Sequence, residues 1–311
     1  MALMTGPVSP YITPDQLTTY PLGVSWNTIP DQRASDAAKY AAQVLICQTA
    51  TGMADARCNQ VLRSTSQTET LHGPGGYRFS MLPDGTSRLL LSQWPILGVT
   101  AMQVARSVPL PYQFTPVTTG NWAVERPALL VTSSSVAADS GTGGQAVILG
   151  PGYVQGGRGA YVAETTYLAG WPHCGITVAA NPGDEILQVD DCTGWAPASP
   201  GAPGATGVIQ DTSVAQQEAI ACAASSVTVG PGFLSLAAPL QYAHDPGILA
   251  TALPGQIQWA TALFAASQAL TRGSTSTTIQ TTRGGAQRNA GGGAALAEMA
   301  CQLLAPFRRT E

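Results

Sequence analysis

Apolar positions along this chain change their spacing several times, and each change marks a different kind of element. Near the start, Ile12-Thr13-Pro14-Asp15-Gln16-Leu17 sets a Thr cap ahead of a first-turn Pro, the opening of a short helix. Beyond Asp31, residues Ala34, Ala37, Ala38, Ala41, Val44 and Leu45 recur at spacings of three and four, which predicts a helix capped by Asp31 and closed by Gly52. Ala54, Cys58, Val61 and Leu62 predict a second, shorter helix over 54–63. The period then drops to two. Segments 88–91, 94–104, 122–125, 128–132, 146–149 and 160–167 read as strands of a β-rich lobe, separated by Gly-rich stretches such as 140–144.

Residues 173–250 differ again. Short runs at 185–189, 207–210, 218–222, 226–229 and 233–236, broken by Pro and Gly turns, suit a small β-barrel or sandwich inserted into the chain. Helical spacing returns at Pro254, with Ile257, Ala260, Leu263, Phe264, Ser267 and Leu270 on one face and Gly273 past the end. Residues 274–293, rich in Ser, Thr, Gln and Gly, carry no periodic face and read as a flexible arm before a last amphipathic stretch at 294–304. The expected organisation is α+β: a core over 1–172, an inserted β module over 173–250, a core helix over 251–272, and an arm with a terminal helix over 273–311.

Charge sharpens this division. The 311 residues allow about two domains, but only 10% are charged, where a soluble domain carries about 25%. The segment 173–250 holds seven acids (Asp184, Glu185, Asp190, Asp191, Asp211, Glu218, Asp245) and no Lys or Arg, hence −7. Residues 251–311 hold five Arg and two Glu, hence +3. A net charge of −4 is not the profile of a protein that grips nucleic acid by neutralising phosphates. The one lysine, Lys39, lies in neither a Walker nor a kinase context, which excludes nucleotide hydrolysis. With no basic, apolar leader and no apolar run near 18 residues, the chain is expected to be soluble and made in a cytoplasm, its six Cys reduced and buried.

Candidate chemistry is sparse. His173, Cys174, Cys192, Cys222 and His244 would be the material for zinc, but only His173-Cys174 form a close pair, so no metal site is assigned. Cys174 and Cys192 are the one pair worth testing for a disulfide. Asp190-Asp191 would point to opposite faces of a strand and read better as a turn with a self-capping Asp. The Gly-rich 141–144 and 150–152 do not lead from strand into helix, as a phosphate cradle must. With three histidines and no nucleophile motif, no catalytic residue and no cofactor is expected. Trp94, Trp122, Trp171, Trp195 and Trp259 are scattered, which favours core packing over a stacking platform.

Several segments, in order, resemble the head–tail connector (adaptor) proteins of long-tailed bacteriophages, the group similar to the HK97 connector. They are Tyr11-Ile12-Thr13-Pro14-Asp15-Gln16-Leu17 with the Ala-rich helix, Cys58-Asn59-Gln60-Val61-Leu62-Arg63 with Thr68-Glu69, and Trp94-Pro95-Ile96-Leu97-Gly98-Val99. Tyr167-Leu168-Ala169-Gly170-Trp171-Pro172, the helix from Leu253-Pro254 to Arg272-Gly273, and Leu303-Leu304-Ala305-Pro306-Phe307-Arg308-Arg309 complete the set. The likeness spans about 10–172 and 250–310; the family's smaller members lack a segment like 173–250, which resembles a β module of other phage structural proteins. The resemblance implies a helical connector core and a dodecameric ring beneath the portal protein and above a neck, stopper or tail protein. It places the protein in the virion neck, assembled in the host cytoplasm, without a membrane and with double-stranded DNA only in transit. Low charge suits such subunit contact. A basic arm suits portal docking, for which Arg272, Arg283, Arg288, Phe307, Arg308 and Arg309 are the candidates. The alternative function is a virion surface or carbohydrate-binding β module.

Overall fold

The computed structural model describes residues 9–20, 22, 24–30, 33–73, 79–81, 87–106, 110–117, 122–125, 128–131, 161–197, 204–211, 213–271, 279–280, 286–287 and 292–309. The fold is α+β. Helix α1 (Pro14–Thr19) starts with the expected Thr cap, which the structure completes into a reciprocal capping box: the Thr13 hydroxyl accepts from Gln16 N and the Gln16 side chain accepts from Thr13 N. Helix α2 (Asp36–Cys58) is one helix where two were expected. It runs through Gly52 because the position is exposed and open, and because Ala50 and Ala54 continue the buried face with Ile46, Cys47 and Cys58. Its caps are Ser35, whose hydroxyl accepts from Ala38 N, and Asn59, in the left-handed region at φ 56°.

Residues Ser64–Gly170 form one compact unit; residues 1–63 and 171–311 form the other. Among the described residues the first holds eight strands in two antiparallel sheets. Strands β1 (Thr65–Gly73), β4 (Ile96–Arg106), β5 (Thr115–Pro116) and β8 (Tyr161–Ala169) pair in the order β1-β8-β4-β5. Strands β2 (Phe79–Met81), β3 (Ser87–Leu90), β6 (Trp122–Glu125) and β7 (Ala128–Val131) pair in the order β2-β3-β7-β6. Alternation places Leu71, Met102, Val104, Ala163, Tyr167 and Ala169 in a core that also takes Leu89 and Leu91. The Tyr167 hydroxyl, fully buried, donates to the Glu69 carboxylate, which also accepts from Ser92 N at 2.7 Å. The expected strand at 146–149 lies outside the described residues.

The second unit carries a six-stranded antiparallel sheet in the order β10-β13-β12-β11-β14-β9: β9 (His173–Gly175), β10 (Ile186–Val189), β11 (Thr206–Gln210), β12 (Glu218–Ser225), β13 (Gly232–Leu236) and β14 (Leu249–Thr251). The edge strands turn toward each other through the bridge Ile176↔Val189 and Thr177 N→Gln188 O at 2.9 Å, so the sheet curls. Trp195, Leu187, Ile209, Leu234 and Leu249 are buried in this region, together with the thiols of Cys174, Cys192 and Cys222. The run at 226–229 is a hairpin loop instead of a strand: Ser226 Oγ and N both bond the Phe233 backbone. The short β9 and β14, too brief for a periodic signal, pair as His173↔Thr251, so the composition boundaries near 172 and 251 meet on one rung.

Helix α3 (Gly255–Thr271) is buried nearly all round, with Ile257, Ala260, Leu263, Phe264 and Ala266 fully enclosed; it packs on α2 and on α4 (Gly292–Leu303). Within the stretch expected to be a featureless arm, β15 (Ile279–Gln280) and β16 (Ala286–Gln287) pair as a two-stranded ladder. The rest of that stretch lies outside the described residues.

Candidate functional site

Of the six expected docking residues, Arg272, Arg283 and Arg288 lie outside the described residues. The other three belong to a tail that is folded back onto the chain. After α4, Leu304 is buried and a 3₁₀ turn at Ala305–Phe307 delivers Phe307 to the Trp171 ring, edge to face at 5.6 Å. Phe307 is 9% exposed, its ring packed within its own chain. Its carbonyl accepts from the buried Gln60 side chain at 3.0 Å, and Arg309 N donates to Cys58 O at 2.9 Å. That last bond sets positions 308–309 beside the end of α2. Arg57 and Arg308, both exposed, thus lie near Arg309 at the carbonyl end of the helix, where positive charge is favoured.

The same neighbourhood holds the N-terminal segment. Tyr11, fully buried, donates its hydroxyl to Asp55 Oδ1 at 2.6 Å and accepts from Arg63 N at 3.0 Å. Asp55 Oδ1 also accepts from Leu62 N at 3.0 Å, and Trp171 N donates to Leu62 O at 2.9 Å. Burial outweighs these bonds and pushes the Asp55 carboxyl up to about 6. His173 stands edge-on to Tyr11 at 5.5 Å. Its Nε2 lies 3.0 Å from Pro10 O and must donate there, which leaves Nδ1 to accept from the Thr251 hydroxyl at 2.9 Å. The ring is neutral: burial lowers its pKa to about 4. Arg63 faces Asp191 at 4.0 Å.

The remaining histidine of the module is held differently. His244 is buried between Asp211 Oδ2, 3.2 Å from Nδ1, and Glu218 Oε1, 2.8 Å from Nε2. Both ring nitrogens face carboxylate oxygens. Sequence reasoning singled out His244 but missed its partners, which lie 33 and 26 residues away and carry no spacing signal. The three module thiols each contact a backbone carbonyl: Cys174 with Ala250 O, Cys192 with Phe233 O, Cys222 with Trp195 O. All six cysteines are free, including Cys174 and Cys192. Burial raises the thiols of Cys47 and Cys58 to about 12 and that of Cys192 to about 11. Asp191 caps its own turn as expected, accepting from Thr193 N at 2.9 Å, while Asp190 turns to Gly175 N at 2.7 Å and the Ser9 hydroxyl. No group of three metal-binding side chains occurs among the described residues, and no helix among them is long and apolar enough to cross a membrane.

A cleft of about 700 Å³ lies over β11 and β12. It is lined by Val208, Ala219 and Ala221 together with Gln210, Gln217, Gln241 and Gln258. Gln210 and Gln258 bond each other at 2.6 Å, and Gln16 joins Gln210 at 3.1 Å. The arrangement ties α1, β11 and α3 together. No family model, no curated protein and no solved structure matches this chain.

Proposed function

We propose that this protein is a structural head–tail adaptor of a tailed bacteriophage, assembling as a ring between the portal and the lower neck or tail proteins, with genomic DNA passing through its lumen. One observation carries the reading. Segments that resemble the connector family, far apart in sequence, meet at one place in the fold. Tyr11 bonds Asp55 and the backbone of Arg63, Leu62 bonds Trp171, Trp171 meets Phe307 edge to face, and Cys58 bonds Arg309. Residues that keep one packing centre intact explain why such an ordered set would recur together. The rival carbohydrate-binding reading has less support, since Trp195 is spent inside the module core and Trp259 packs on Tyr20 at a ring separation of 5.0 Å.

The candidate portal contacts are Arg272, Arg283, Arg288, Phe307, Arg308 and Arg309; the guanidinium groups of the arginines suit carboxylates of a partner groove. The decisive experiment mixes the purified chain with a portal ring and images the product by negative stain. Stacked rings support the reading; a chain that neither closes into a ring nor binds portal refutes it. Titration with labelled duplex at about 50 and 200 mM salt should show weak binding at both, because a −4 chain releases few counterions.

A further inference from the structure

Residues 9–20 lie as a strap between the helices and the β module. Toward α2, Tyr11 N donates to the Thr51 hydroxyl at 3.0 Å and the Tyr11 hydroxyl to Asp55 at 2.6 Å. Toward the module, the Ser9 hydroxyl donates to Asp190, His173 donates to Pro10 O at 3.0 Å, and the Gln16 amide donates to the carbonyl and the side chain of Gln210 at 3.1 Å. Tyr20 meets Trp259 of α3 edge to face. Tyr11, Ile12 and Leu17 are fully buried in this closed arrangement. Among the described residues no strand pairs with the segment, and the parts it bridges are joined without it: β9 pairs with β14, and α2 packs on α3. A segment tied by single bonds instead of a ladder is a unit that opens while its surroundings stay folded.

Two titratable groups meet the strap at Tyr11, and their bonds treat a proton differently. His173 gives its Nε2 proton to Pro10 O, and its Nδ1 accepts from the Thr251 hydroxyl, whose oxygen already accepts from Leu253 N at 3.0 Å. A second ring proton would face the Thr251 hydroxyl proton, so the bonds fit the neutral ring. Arg63 and Asp191, 4.0 Å apart, present both signs of charge to this ring. Asp55 accepts both of its bonds, from Tyr11 and from Leu62, on Oδ1, which leaves Oδ2 to take a proton with neither bond lost. It faces Arg63, the Tyr11 phenol and the Cys58 thiol, and burial raises the last two so that both stay protonated in acid.

We propose that residues 9–20 open and close as one strap, and that Asp55 on one side of it and His173 on the other keep its hold constant through mild acid. Opening returns both groups to water. His173 then regains the ordinary proton affinity of an imidazole, which favours the open strap as pH falls from 6.5 to about 4. Asp55 gives up the proton that burial lets it keep, which favours the closed strap as pH falls from about 6 to 3.8. At tenfold per unit, each effect is about a hundredfold over this range, and the two are opposite in sign. Either group alone would make the strap a pH switch; the pair makes it a clasp that acid does not release. The inference stands apart from the adaptor reading.

The test is hydrogen–deuterium exchange on the full chain between about pH 7 and pH 4, read as protection factors, which remove the intrinsic pH dependence of amide exchange. Wild-type amides of the strap, Tyr11 and Leu17 among them, are expected to be less protected than those of α3 at every pH, and to change less than about threefold across the range. Asp55→Asn should lower strap protection about a hundredfold as pH falls, and His173→Gln should raise it by a similar factor. Strap amides as protected as those of α3 overturn the separate opening. Single variants as flat as wild type overturn the compensation. If circular dichroism shows that a variant does not fold, the wild type decides: a change above about tenfold in strap protection refutes the inference, and a flat response below the α3 level supports it.

Discussion

Asp55 and His173 flank Tyr11 and titrate with opposite effects on stability. Asp55 binds a proton more tightly folded than unfolded, its pKa rising from 3.8 to about 6, so between these values the native state holds the extra proton and stability falls as pH rises. The swing is about 3 kcal/mol at 1.36 kcal/mol per unit. His173 does the reverse. Its pKa falls from 6.5 to about 4, so the unfolded state takes the proton, and about 3 kcal/mol of stability present above pH 6.5 is lost as pH falls toward 4. In the wild type the two effects nearly cancel. Asp55→Asn keeps an oxygen to accept from Tyr11 and Leu62 but removes one titration. Measured by urea unfolding, it should gain about 3 kcal/mol relative to wild type between pH 4 and pH 7. His173→Gln should change by a similar amount in the opposite direction. Taking differences from wild type removes every carboxylate common to both proteins, so a difference that stays flat across this range would refute the account.

Five further outcomes follow from the packing. Phe307→Ala should cost about 3–5 kcal/mol in denaturant unfolding, because it empties a filled site against Trp171, and a chain ending at Arg272 should bind a dye for exposed apolar surface, since α3 loses its cover from α4. His244→Ala should cost about 3–5 kcal/mol by leaving Asp211 and Glu218 without their shared partner, with the loss read as a lowered urea midpoint. Gly207→Ala places a Cβ 2.6 Å from the Trp195 ring and 2.7 Å from Thr251 O, and should lower stability by about 1–3 kcal/mol in the same assay. Thiol titration of the native protein should modify the half-exposed Cys301 first, with the other five released only on unfolding.

Local devices were legible in the sequence because they act over a few residues. The Thr13 capping box, the start of β6 at Trp122, the core face of α3 and the Asp191 turn each depend on neighbours within about four positions. Gly52 misled because glycine ends helices when it must turn left-handed; here an exposed glycine is tolerated inside α2, and Asn59 supplies the left-handed residue seven positions later. The packing centre was visible only as a list of ordered segments, since nothing in the spacing of Tyr11, Asp55 and His173 says that they touch. The packing of the tail was illegible for a related reason. An amphipathic helix followed by Phe-Arg-Arg has the same pattern whether its apolar side meets a partner or, as at Phe307, its own core.

The rung that joins His173 to Thr251 separates chain length from geometry. A segment that leaves and returns on neighbouring strands closes a loop whose entropic cost grows only with the logarithm of its length. Seventy-seven residues or twenty between these positions would ask the flanking core to span the same gap. The length of the segment between these two positions is therefore set independently of the gap that the flanking strands must span. The N-terminal segment is held to this stretch by the bonds that Ser9 and Gln16 donate to Asp190 and Gln210, so a shorter connection between His173 and Thr251 would have to present acceptors at those two places.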